Sequence, residues 1–215
     1  MPNTEPPLRA SSDAALLRIL GAPEATAHRA IERFGNLRSL LTVPRESFRQ
    51  RTGFTDELYL RLHAARELAL RDLSSTLRRG QRIQGPADCY EYVLALCRDL
   101  PYESVLALWL NGRNHILASE ELFHGTRNAA PVYPREVLRR ALELNACRLI
   151  LVHNHVDGDP SPTDDDFRIT EQLVRILILA EIQVLDHLIV GDGLVLSLRQ
   201  TRPHAFRPEL PCACL

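Results

Sequence analysis

Apolar positions recur along this chain with two different periods, and the change between them marks its organisation. From residue 13 to residue 77 the spacing is helical, in segments cut by glycine and proline. Leu16, Leu17 and Leu20 share one face of a first helix, which Asp13 caps and which Gly21 and Pro23 stop. A second helix is predicted over 25–34, ended by Gly35, and a third runs through Leu37, Leu40 and Leu41 and ends before Pro44. A fourth covers 45–50. After Thr52-Gly53-Phe54, a longer helix over 56–77 turns Leu58, Leu62, Ala65, Leu68 and Leu73 inward. Residues 1–12 hold three prolines and few apolar groups, which predicts a disordered arm. The region 13–80 is expected to be a small all-helical domain.

Arg78-Arg79-Gly80-Gln81-Arg82 and then Gly85-Pro86 mark a boundary, after which strand-like runs appear. A helix over 86–100 with Tyr90, Val93, Leu94 and Cys97 inward leads to a buried strand over 105–110. Asn111-Gly112 is a hairpin turn, and 115–121 returns as the partner strand. After a corner at Phe123-His124-Gly125-Thr126, Pro134 opens a helix over 135–145. A central strand over 148–152 and a helix over 164–180 follow. The strands 184–190 and 194–198 form a second hairpin across Gly191-Asp192-Gly193, and a Pro-rich tail is expected over 203–215. Strands interleaved with helices, together with two hairpins, imply an α/β domain with a mixed sheet over 86–202.

Composition narrows the setting. The 215 residues are 45% hydrophobic, ordinary for a chain that buries a core. A charged start followed by an apolar leader is lacking, as is any apolar run long enough to span a bilayer, so a cytoplasmic protein with no membrane partner is expected. Five unevenly spread cysteines predict no disulfide framework, and Cys212-Ala-Cys214 is read as exposed tail rather than as a metal motif. All 26 basic residues are arginine. Residues 1–82 hold 14 of them against nine acids, while 83–215 hold 12 against 18. A basic amino-terminal third is compatible with nucleic acid. Two short helices about a Gly-bearing turn, followed by a longer helix, also resemble a helix-hairpin-helix module, whose hairpin amides hold a DNA phosphate. That hairpin usually has two glycines; here there is Gly53, with Thr55 at the second position. A plain packing domain and a DNA-binding one both remain open.

The chemistry concentrates in residues 149–170. The run Leu149 to Val152 delivers His153 and His155 at alternate positions, so an extended backbone points both imidazoles the same way. After seven intervening residues, Thr163 opens a helix with Asp166 in its first turn. Two nitrogens and a carboxylate then converge as the ligand set of an open catalytic zinc site. The alternative reads Thr163 and Asp166 as a capping box and the histidines as loop residues with local partners. Each residue satisfies the alternative singly; the joint spacing favours the metal. Asp186 and His187, charged neighbours in an apolar strand, are read either as hydrogen-bond partners of the ligands or as purely structural. A zinc deaminase needs Cys-x-x-Cys, which is lacking here.

His153-Asn154-His155, Gly158-Asp159-Pro160, Pro162-Thr163 and Asp166 together resemble the motif of the RadC family, a bacterial branch of the JAB/MPN metallo-isopeptidase-like fold. Pro134-Arg135-Glu136, the Gly125-Thr126 corner and Leu185-Asp186-His187-Leu188-Ile189-Val190 are similar to RadC as well. The resemblance is strong over about residues 90–200 and weak over the helical region. It implies a cytidine-deaminase-like mixed sheet, zinc bound by His153, His155 and Asp166, and a general-base glutamate ahead of the first strand. Glu103 matches that glutamate, with Glu120 and Glu136 as rivals. A hydroxyl in the motif assists the developing oxyanion, and here Thr163 stands where serine is usual. Val156-Asp157 replaces the common Pro-Ser, which predicts altered loop rigidity with the metal site kept. The expected function is zinc-dependent hydrolysis of a peptide or isopeptide bond in a peptide or protein substrate. The alternative is a DNA-associated repair or mobile-element protein, bound through the helical domain, whose zinc is structural or acts on phosphodiesters.

Overall fold

The computed structural model describes residues 8–78, 82–97, 100–126 and 131–207. Most of the predicted arm, Arg79-Gly80-Gln81 and Cys212-Ala-Cys214 lie outside these residues. The chain divides into two units, Met1–Arg71 and Asp72–Leu215. Among the described residues, no helix is long and apolar enough to cross a membrane.

The first unit is all-helical: α1 (Asp13–Ile19), α2 (Glu24–Phe34), α3 (Leu37–Leu41), α4 (Arg45–Thr52) and the start of α5 (Asp56–Arg78). Leu17, Ala27, Leu40, Phe48, Phe54, Leu58 and Leu62 form its core. Ser12, not Asp13, caps α1 through its side chain. Asp13 is used further away, accepting from the Leu37 amide at 2.7 Å, so one carboxylate pins the start of α3. Leu68 is 68% exposed rather than inward, because six residues beyond Leu62 falls off the α5 stripe. Gly53 ends α4 in the left-handed conformation, with φ 77°. The Thr55 hydroxyl accepts from the Leu58 amide at 3.3 Å and so caps α5 itself.

The second unit carries α6 (Tyr90–Cys97), β1 (Ser104–Leu110), β2 (Ile116–His124), α7 (Pro134–Glu143), β3 (Arg148–Asn154), α8 (Asp164–Ile178), β4 (Gln183–Val190), β5 (Val195–Ser197) and α9 (Leu198–Thr201). The strands form one mixed sheet in the order β2-β1-β3-β4-β5. The β3–β4 pair is parallel, joined by α8, and the other pairs are antiparallel. Alternation sorts the side chains into two cores. Val105, Ala107, Trp109, Leu149 and Leu151 meet α7 and α8 on one face. Leu106, Leu108, Leu110, Ile150 and Val152 meet Val93 and Cys97 of α6 on the other.

Three predicted details differ. The helix expected from Pro86 begins as a 3-10 turn, Pro86–Cys89, before α6. In the first hairpin the left-handed residue is Asn114, with φ 65°, and not Gly112, because a longer turn closed by Asn114 N–H to Asn111 O replaces the two-residue one. The chain after Pro203 is not yet tail: Pro203–Phe206 form a 3-10 turn whose Ala205 and Phe206 join the α7/α8-side core. An apolar pair inside a Pro-rich stretch gives no periodic signal.

Two loops that frame the functional end of the sheet touch through glycine. A side-chain carbon added at Gly191 would lie 2.3 Å from the Gly158 carbonyl and under 3 Å from Pro160. Asp192 N–H also donates to that carbonyl at 2.8 Å. Gly191→Ala is expected to lower stability by about 1–3 kcal/mol, through forced separation of the two loops. Chemical denaturation measures this, and an unchanged midpoint would show that the loops do not pack this way.

Candidate metal centre

The sheet brings residues far apart in sequence to one end of one face. Val105 pairs with His153, so Glu103, two residues ahead of Val105, lies on the His153 side. His153 occupies the end of β3 and Asp166 the first turn of α8. His153 Nδ1 lies 2.9 Å from Asp166 Oδ1, and its Nε2 lies 3.6 Å from Glu103 Oε2. His155 Nε2 lies 3.6 Å from Asp166 Oδ2. These residues and Thr163 line a cleft of about 950 Å³, walled also by Thr126, Val132 and Ile169.

Asp166 caps its helix and meets the motif histidines at the same time. Oδ2 accepts from the Thr163 amide at 2.8 Å and from the Thr163 hydroxyl at 2.7 Å. Oδ1 faces His153. Burial would raise the Asp166 carboxyl, but hydrogen bonds to His153 and Thr163 and the nearby His155 imidazole outweigh it and hold the group well below the usual carboxylate range. The Thr163 proton is therefore committed to Asp166 in this arrangement.

Imidazole tautomers define what the cluster can hold. His155 Nδ1 lies 2.8 Å from the Asp159 carbonyl, which only accepts, so Nδ1 carries hydrogen. The bare Nε2 then faces a carboxylate oxygen, a pairing that requires a proton or a cation between them. Bonding to Asp166, opposed by burial, accordingly raises His155 above the ordinary imidazole range. His153 Nε2 is buried with no hydrogen-bond partner. Imidazole nitrogens and carboxylate oxygens with these orientations could hold a divalent ion such as zinc.

Glu103 is fixed from both sides. Its amide donates to Thr126 O and its carbonyl accepts from Gly125 N–H, both at 2.8 Å. Asn154 clamps its neighbours, accepting from Ser104 N at 2.8 Å and donating to Tyr102 O at 3.0 Å. The rival acids sit elsewhere. Glu120 accepts from Trp109 Nε1 and from Arg140, and Glu136 pairs with Arg139; neither lines the cleft. In the loop, the Asp157 carboxylate accepts from Asp159 N, a local turn that serine at this position would make more weakly.

Asp186 and His187 part company. A bulge between the 149–184 and 150–186 pairs shifts β4 by one residue. Val184 faces the α7/α8 core, yet Asp186 pairs with Ile150 and faces the α6 side. There it accepts from Ser197 Oγ and from the amides of His187 and Arg199, a structural tie between β4 and α9. His187 turns to the cleft instead, where burial first and the charge of His153 next drop it to about 3. One donor atom each from His153, Asp166 and His187 lie within 4.8 Å of one another, a triad that includes His187 in place of His155. Spacing along the chain carried no signal for the bulge, for the Asn154 clamp or for Thr170 beside His187.

Fold and site together define a JAB-type α/β domain: a mixed sheet that presents a His-x-His strand end and a capped helix carboxylate beside an upstream glutamate. The family model described as a RadC-like JAB domain matches residues 83–203. A UPF0758 protein of Halorhodospira halophila is 41% identical over 199 residues, 89% of each chain. One of Thioalkalivibrio sulfidiphilus is 43% identical over 193 residues, 86% of each chain, and one of Nitrosococcus oceani 42% over 198, 89% of this chain and 88% of that one. The chain belongs to the RadC-like JAB family.

In metal-free protein, His155 is expected to titrate above the ordinary imidazole range, and Asp166→Asn to bring it back down. The raised value means that the contact stabilises fully below about pH 6.5 and fades as pH rises through the folded-state value. Imidazole chemical shifts followed by NMR against pH measure both, and an unshifted His155 would contradict the arrangement.

Proposed function

We propose that this protein is a zinc-dependent hydrolase of peptide or isopeptide bonds. The observation that carries the proposal is Glu103 Oε2 at 3.6 Å from His153 Nε2, beside a carboxylate that binds both motif histidines. His153, His155 and Asp166 would hold the ion. Zinc supplies Lewis acidity, which polarises a scissile carbonyl and brings the acidity of water to near neutrality. Glu103, with its backbone bonded on both edges, takes the proton from the attacking water and returns it to the leaving nitrogen. Thr163 holds Asp166 in place, and it serves a developing oxyanion only once its hydroxyl releases Oδ2. The cleft beside Glu103 would take the substrate segment that carries the scissile bond.

The second reading is DNA association through the helical unit, for which the excess of arginine over acid in residues 1–82 speaks. Thr55 already satisfies one α5 amide that a phosphate would need, so such binding would rest on side chains. No affinity for duplex DNA even at low salt would remove this reading.

Purified protein is expected to contain one equivalent of zinc, and His153→Ala to lose it. Glu103→Gln is expected to keep the zinc and the melting temperature, and to slow cleavage of peptide and isopeptide-linked fluorogenic substrates by about 10²- to 10⁴-fold. Zinc-free wild type, or Glu103→Gln as active as wild type, would overturn the proposal.

A further inference from the structure

His187 has no role in the reading above, yet it is the most deeply enclosed titratable group at the centre, 1% exposed. Its surroundings fix its chemistry. The Thr170 hydroxyl donates its single hydrogen to the Asp166 carbonyl at 2.6 Å. That hydroxyl also sits 2.7 Å from His187 Nδ1 and can only accept there, so Nδ1 carries the imidazole hydrogen. The lone pair is left on Nε2, which is buried and without a hydrogen-bond partner. A buried acceptor with no donor to meet it is costly, and such atoms call for an explanation. Histidines that bind metals show this pattern, with one nitrogen donating to a fixed acceptor and the other turned to the ion.

Position agrees with the tautomer. Donor atoms of His187, His153 and Asp166 lie within 4.8 Å of one another. The His187 and His153 rings lie near-parallel, at 12°, with centroids 6.3 Å apart. Ligands about a tetrahedral zinc are roughly 3.3 Å apart, given bonds of about 2.0–2.1 Å, so these three donors and His155, whose Nε2 lies 3.6 Å from Asp166 Oδ2, must draw inward to share one ion. The bulge in β4 is what aims the ring here, since an unbroken strand would have put Asp186 on this face.

We propose that His187 Nε2 is a further ligand of this metal centre, in addition to His153, His155 and Asp166; this rests on the reading of the site as a zinc centre. Three imidazoles and one carboxylate make four protein donors, one more than an open catalytic site keeps. With all four bound, a tetrahedral ion would have no position left for water. Thr170 is the positioning residue, linking the backbone of one ligand to the ring of another.

Zinc absorption-edge spectroscopy on the full-length wild-type protein counts imidazoles without any substitution. Three are expected, falling to two with one added light-atom ligand in His187→Ala. Zinc affinity, measured by chelator competition, is expected to fall at least as far as when a ligand's hydrogen-bond partner is lost, about 10–100-fold. Two imidazoles in the wild type would overturn the proposal, including the case in which Nε2 only accepts a hydrogen bond from a bound water. Wild-type protein that binds no zinc would overturn both this proposal and the hydrolase reading. Three imidazoles without hydrolysis would support His187 while removing the hydrolase.

Discussion

A carboxylate taken out of water must find partners for both oxygens, and Asp166 is where that constraint falls in this protein. It is 3% exposed at the head of α8. One oxygen closes a capping box with Thr163, and the other meets His153. Its backbone carbonyl receives Thr170, which in turn receives His187. Each connection is local and modest in energy. Together they couple the start of α8, the end of β3 and the middle of β4 through one residue. An isolated charge at this depth would be prohibitive, so cap, imidazoles and carboxylate form or fail as a set.

The sheet supplies what a cap cannot, which is direction. Period-two alternation puts Glu103, His153 and His187 on one face only because three strands keep a particular register. The β1–β3 pairing sets the acid beside the first histidine. The bulge in β4 exchanges Asp186 for His187 at the cleft and leaves the buried acid to tie down α9. A single residue of slip would reverse both assignments. The same logic gives the loops at Gly158 and Gly191 their importance, since they keep the carbonyl of Asp159 where it orients His155.

Much of the fold was legible because its causes are local. Glycine and proline cut the helices where the backbone demanded it, and the apolar runs of β1 and β3 announced a buried sheet. Local reading went astray where a residue is recruited from a distance. Asp13 left its own helix cap to serve α3, and Leu68 lay off a stripe that six residues could not close. Phe206 was drawn from a Pro-rich end into the core. For Asp13 and Phe206 a tertiary partner outweighed the local preference, while Leu68 is exposed by helix geometry alone.

At the site, the sequence by itself determined the His-x-His at a strand end and the Thr-x-x-Asp at a helix start. Both follow from periodicity and capping within a dozen residues. It also offered Glu103 by resemblance, with Glu120 and Glu136 as rivals of the same chemistry. The tertiary structure sets the rivals apart, giving Glu120 to Trp109 and Arg140 and clamping Glu103 between Asn154 and the Gly125-Thr126 edge. It likewise turned His187 inward and occupied the Thr163 hydroxyl. The reason is physical: side-chain direction in a sheet depends on register and bulges set by pairing across long loops, and no short stretch of chain carries that information.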